Sequence, residues 1–151
     1  MGERTEQQAV RVPLGELNGR FDLREVMAAI GPQAHLDWVL QDVDFNGAVT
    51  SVWPEGPSAV EARSEQGDGV PLDWATMQKL AAGCHQIVDG RFIGYDRADE
   101  PRVQLTVVDS DYWSIWADDP ATLQAVRETF ATTTDDNPHP EPAPPPRHRR
   151  S

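Results

Sequence analysis

The chain has 151 residues, with 13 Lys and Arg against 25 Asp and Glu, a formal charge of −12 and 38% hydrophobic residues. That length supports a single core burying roughly two-thirds of the unfolded chain's surface, so neither disulfides nor a structural metal is needed for folding. No run approaches the ~18 apolar residues of a membrane span, and the opening MGERTEQQAV lacks the basic and apolar regions of a signal peptide.

A cytoplasmic address with no membrane partner is therefore expected. The lone cysteine, Cys84, excludes an intramolecular disulfide and a multi-cysteine zinc site, in keeping with a reducing compartment. Lys79 is the single lysine and arginine supplies the other cations, a codon bias of GC-rich bacterial or phage genomes. In residues 135–151, Asp135, Asp136 and Glu141 balance Arg147, Arg149 and Arg150, so the rest of the chain holds the whole −12. Such a body repels phosphate backbones and attracts basic proteins, so a basic protein partner is expected and nucleic acid is not.

In chain order, residues 1–20 are expected to be a flexible N-terminal segment, 21–134 a single α+β domain and 135–151 a disordered Pro/Arg-rich tail. Asp22 with Glu25 three positions later, then Leu23, Val26, Met27 and Ile30 before Gly31-Pro32, predicts a helix over 22–30. Residues 36–45 are rich in β formers and run into Asn46-Gly47, followed by 48–53, which predicts a hairpin on a type I′ turn. Residues 58–64 (SAVEARS) offer another strand. Asp73 caps a second helix carrying Met77, Leu80, Ala81, Cys84, Ile87 and Val88 at helical spacing as far as Asp89-Gly90. A short strand over 91–95 follows, then two strands over 102–109 and 112–117 joined by a hairpin at Ser110-Asp111. Asp119-Pro120 opens a last helix through Leu123, Val126, Arg127 and Phe130. The layout predicts an α+β fold with a largely antiparallel sheet of about five or six strands and three helices.

Asp42-Val-Asp44-Phe-Asn46-Gly47 matches the opening of an EF-hand calcium loop. The twelfth position, where a bidentate Glu belongs, is Trp53, and both flanks read as strand. A turn is the preferred reading, with Asp42, Asp44 and Asn46 kept as weak cation candidates. Asp109/Asp111 flank a turn and Asp118/Asp119 open a helix, where solvated or capping roles account for them; Asp96, Asp99 and Glu100 share a loop. Cys84 and His85 are neighbours on a helix, point about 100° apart and do not form a Cys/His pair. Neither His85 nor His35 has a metal-ligand partner at recognisable spacing, and no phosphate-cradling glycine motif occurs. No catalytic residue, metal or cofactor is expected. Five tryptophans remain: Trp38, Trp53, Trp74, Trp113 and Trp116. Three apart on a strand, Trp113 and Trp116 point to opposite faces, so one of them or Tyr112 is expected to be exposed. Exposed aromatics among acids suit an interface anchor within a charged rim, which makes Asp109, Asp111, Tyr112, Trp113, Trp116, Asp118 and Asp119 the interface candidates.

Three stretches carry a resemblance: Trp38-Val-Leu-Gln-Asp-Val43; Leu72-Asp-Trp-Ala75, with its helix running into residues 86–95; and Tyr112-Trp-Ser-Ile-Trp-Ala-Asp-Asp-Pro120. Spanning most of 22–131, they resemble the small α+β proteins of unassigned activity common in GC-rich bacteria and, more loosely, the immunity proteins of bacterial toxin systems. The resemblance implies a non-enzymatic binder and carries no functional residue across. Two classes of function follow from the sequence: an interaction protein, such as an inhibitor or immunity factor, and a small enzyme or ligand-binding domain whose acidic residues converge from distant segments.

Overall fold

The computed structural model describes residues 9–13, 22–46, 52–67, 69–83, 86–109, 111–130 and 133–135. Within them the order is β1 (Val10–Pro13), α1 (Asp22–Ile30), β2 (Asp37–Asn46), α2 (Pro57–Ser64), β3 (Val70–Leu72), α3 (Trp74–Gly83), β4 (Gln86–Tyr95), β5 (Pro101–Val108), β6 (Tyr112–Ala117), α4 (Pro120–Thr129) and β7 (Thr134–Asp135). The strands form one antiparallel sheet in the order β3-β2-β4-β5-β6-β1-β7. The α+β class and antiparallel sheet are as expected, with seven strands and four helices among the described residues.

Period-two alternation gives the sheet two unlike faces. Trp38 and Leu40 of β2, Phe92 of β4, Leu105 of β5, Ile115 of β6 and Val10 of β1 line one face, all at most 1% exposed. The buried apolar residues of all four helices join that same cluster, including Val26, Val60, Leu80 and Val126. The second face carries a smaller cluster of Val39, Ile93 and Tyr95 beside buried Gln41, Gln104 and Ser114. Half-buried Arg91, Thr106, Tyr112 and Trp116 continue it.

Local signals placed several elements correctly. Helix α1 runs over the expected residues. The β5–β6 hairpin closes where expected, with the Asp111 amide donating to the Val108 carbonyl at 2.8 Å and Asp109 at φ 50°. Asp119 caps α4, its carboxylate accepting from the Ala121 amide at 2.9 Å, with Pro120 in the first turn.

Tertiary packing overrode other signals. Residues 10–13, expected within a flexible N-terminal segment, are strand β1, antiparallel to β6. Asp135, expected to begin the tail, pairs with Val10 in β7; residues 136–151 lie outside the described residues. Residues 58–64 are helical and not a strand: Pro57 fits a first turn, Ala and Glu favour helix, and the buried positions Val60 and Ser64 lie four apart on one face. Helix α3 stops at Gly83 instead of running on to Val88, because Ile87 is drawn into β4 opposite Phe45. Cys84 and His85, like Gly47, lie outside the described residues. Of the expected hairpin strand over 48–53, residues 48–51 lie outside the described residues, and Val52 and Trp53 are not in a strand; the neighbours of β2 in the sheet are β3 and β4.

Helix α2 meets the edge of β2 beyond its pairing with β3 through a bulge. Register shifts between Gln41, Asp44 and Phe45, with Asp42 at φ 52°, turn two β2 amides away from the ladder. Ser64 Oγ accepts from the Val43 amide at 3.0 Å while donating to the Glu61 carbonyl at 2.8 Å, and Glu61 Oε2 accepts from the Phe45 amide at 2.9 Å. Because Ser64 is 1% exposed, Ser64→Ala leaves the Val43 amide buried and unpaired. A loss of about 2 kcal/mol in urea unfolding is expected.

Candidate functional site

The bulge that seats α2 also gathers carboxylates. Asp42 and Asp44 project from β2, Glu61 and Glu65 come from α2 and the turn after it, and Asp89 comes from β4. With Val43, these side chains line a depression of about 620 Å³. Arg91 approaches Asp42 at 3.8 Å, a loose and exposed contact, while Arg63 is engaged by Glu55. Asp89 Oδ1 accepts from the Asp109 amide at 2.9 Å, which ties the β5–β6 turn to the groove. Asp109 and Asp111, both exposed, thereby extend the acidic surface along the same end of the sheet.

The other end is neutralised internally. Arg102 donates through Nε to Asp96 at 2.7 Å and through its terminal nitrogen to Asp118. The backbone amide of Glu100, followed by the Arg102 side chain, holds the Asp96 carboxyl below the usual carboxylate range, and Asp96 followed by Asp118 raises the Arg102 guanidinium. A depressed carboxyl contributes stability that is present above its unfolded pKa and disappears as pH falls through the folded one. Acidification below about pH 4 should therefore weaken the fold, and Asp96→Asn should flatten that part of a stability-against-pH curve.

The expected interface set accordingly divides. Asp109, whose amide bonds Asp89, adjoins the groove; Asp111 and half-buried Tyr112 lie at the same end of the sheet, Tyr112 with the Arg11 guanidinium 3.9 Å above its ring. Asp118 and Asp119 sit at the far end of β6, roughly 17 Å along the strand, where one holds Arg102 and the other caps α4. Trp116 lies half-buried on the second face. Trp113 is a correction to the interface set: it is 0% exposed in the core, stacked on Phe92 at 6.3 Å, and offers no surface to a partner.

Glu61, Glu65 and Asp89 are the groove residues that sequence reasoning missed. The first two belong to a segment read as strand and its sequel, and Asp89 was read as part of a turn ending a helix. Of the weak cation candidates, Asp42 and Asp44 line the groove while Asn46 pairs with Gln86 in the β2–β4 ladder. Among the described residues no group of three His, Cys, Asp or Glu side chains could hold a metal ion. The groove gathers five carboxylates in one depression without forming a metal-holding group, an arrangement that suits a basic ligand. A second depression, about 540 Å³, lies between α1 and α3 and is walled by Met27, Pro32, Trp74 and Ala81; Trp74 packs on Trp38 at 5.8 Å.

No described helix is long and apolar enough to cross a membrane. Comparison with known proteins finds no matching family model, no matching curated protein and no matching solved structure.

Proposed function

We propose that the chain is a non-enzymatic interaction domain that captures a basic protein through the acidic end of its sheet, as an immunity or inhibitor protein does. The observation that carries this reading is the convergence of Asp42, Asp44, Glu61, Glu65 and Asp89 from β2, α2 with its following turn, and β4 on one groove, with Asp109 and Asp111 beside it. Like charges brought together at a surface destabilise the free protein, and a partner that places Lys or Arg among them relieves the repulsion. Such a field raises the encounter rate more than it slows dissociation, and Tyr112 at the same end supplies an aromatic contact of the type enriched in binding hot spots.

The test is to recover the partner by affinity capture at low salt and to measure its association rate against ionic strength. Screening beyond ~8 Å at physiological salt should slow association at least tenfold from low to high salt. Replacing Asp42 and Asp44 by Asn together with Glu65 by Gln should slow association about tenfold further at low salt and leave dissociation nearly unchanged. Glu61 and Asp89 are spared because their carboxylates also hold the Phe45 and Asp109 amides. A partner that associates equally fast at all salt concentrations, and equally fast with the triple variant, would remove the proposal.

A further inference from the structure

We infer that the depression between α1 and α3 is a binding site for a small aromatic carboxylate, with the ring held against Trp74 and Met27 and the carboxylate directed to Arg24. The inference is independent of the acidic groove, which is lined from β2, α2 and β4.

The site follows from how the two helices pack. Met27 is 6% exposed and Ala81 4%, so both belong to the core and together close the floor. Above them the walls are helix positions one turn apart: Arg24 and Ala28 on α1, and Trp74, Gln78 and Ala82 on α3. Between the ends, Ala28, Gly31 and Ala82 are too short to bridge the two helices, and about 540 Å³ stays open above the floor. Small-molecule sites fall in the range of roughly 300–1,000 Å³ and combine a mainly apolar lining with a few polar groups that orient the ligand.

The two ends differ in chemistry. Trp74 packs on Trp38 at 5.8 Å, and the Trp38 indole N–H donates to the Gln33 carbonyl at 3.1 Å, just beyond α1. Trp74 is thereby held at the C-terminal end of α1, half-buried and lining the depression. A flat ring at that end gains an aromatic contact from Trp74 and a thioether contact from Met27.

Arg24 lies two turns earlier in α1, about 10 Å along the helix. The chain has 25 Asp and Glu, yet the described residues lining this depression include a guanidinium and no carboxylate. The recess therefore favours an anionic group, and acids elsewhere on the body are screened beyond ~8 Å at physiological salt. The planar guanidinium matches a carboxylate in particular. A ring at one end and a carboxylate at the other describe an arylalkanoic acid, whose short chain crosses the alanine-lined middle beside the Gln78 amide.

The experiment titrates the full chain with indole-3-butyrate and, as a probe of opposite charge, tryptamine, following amide and indole N–H signals by two-dimensional NMR. Indole-3-butyrate should move the Trp74 indole and the Ala28 and Ala82 amide signals saturably, with a dissociation constant of about a millimolar or below. Arg24→Gln should weaken binding about fivefold or more by removing the charge-assisted contact. Ala28→Phe and Ala82→Phe, one on each wall and both at exposed positions, should each weaken it at least about tenfold by filling the recess, with thermal midpoints close to that of the parent. Tryptamine should leave these signals in place. The absence of saturable shifts would overturn the inference, as would affinity unaltered in both Phe variants, because the ring would then sit elsewhere. Affinity unaltered by Arg24→Gln, or an equal response of the same signals to tryptamine, would show that no carboxylate is read and overturn it too. So would signals of the free protein at this recess that change on dilution, since a second copy would then be its occupant.

Discussion

Trp113→Ala is expected to lose about 4 kcal/mol of folding stability, against about 1 kcal/mol or less for Trp116→Ala, although the two residues lie on the same short strand. Trp113 is 0% exposed and stacked on Phe92, so its truncation leaves a cavity between β4 and β6 beneath the helices. Trp116, on the other face, is half-buried and gives up much less contact. Since a domain of this kind has a total stability of about 5–15 kcal/mol, Trp113→Ala should be largely unfolded at modest urea. The buried Trp113 Nε1 has no acceptor among the described residues, so Trp113→Phe removes a costly orphan donor along with the ring it loses. Its loss should stay under about 2 kcal/mol. Urea unfolding followed by far-UV circular dichroism ranks the three variants; a Trp116→Ala loss equal to that of Trp113→Ala would contradict the two-faced description of β6.

Gly69→Ala is expected to cost about 3 kcal/mol, and Gly31→Ala about 1 kcal/mol. Both glycines adopt positive φ, +69° and +78° respectively, but their surroundings differ. A methyl at Gly69 would come within 2.8 Å of the Leu40 carbonyl oxygen and of Val39 Cγ1, whereas one at Gly31 meets nothing within 4 Å. The Gly31 variant therefore reports the left-handed backbone alone, and the difference between the two reports the close approach of the turn before β3 to the edge of β2. Equal midpoints in chemical unfolding would show that this turn moves aside freely. Because β3 pairs with β2 only over Trp38–Leu40, the strained turn should also loosen β3 first, seen as faster amide exchange at Val70 and Leu72 than in the core strands.

How much of this was readable in advance depended on where the decisive contacts lie in the chain. Helix α1, the cap and proline of α4 and the β5–β6 hairpin are specified within a few residues of themselves, and they form where their local pattern places them. Residues 57–64 and 86–88 are ambiguous locally, since short apolar runs suit either period. Their state is decided by distant partners: Phe45 draws Ile87 into the ladder, and the bulge amides of Val43 and Phe45 receive Ser64 and Glu61. The same bulge gives the edge of β2 beyond its pairing with β3 to a helix.

The candidate site follows the same division. The sequence by itself determined the large negative charge, the absence of phosphate-binding motifs and the acidity of Asp42, Asp44, Asp109 and Asp111. Only the tertiary structure decided which acids act together. Asp96 and Asp118, thirteen and seven residues from the Asp109–Asp111 turn by position, are neutralised around Arg102, and Asp119 is used as a cap. Glu61, Glu65 and Asp89 instead join Asp42 and Asp44 across gaps of 17 to 47 residues. Charge is a property of composition, whereas a field that can steer a partner requires like charges held together against their repulsion. The backbone pairing of β2 with β4 and the anchoring of α2 on the bulge supply that restraint, and neither leaves a mark at the sequence positions of the acids themselves.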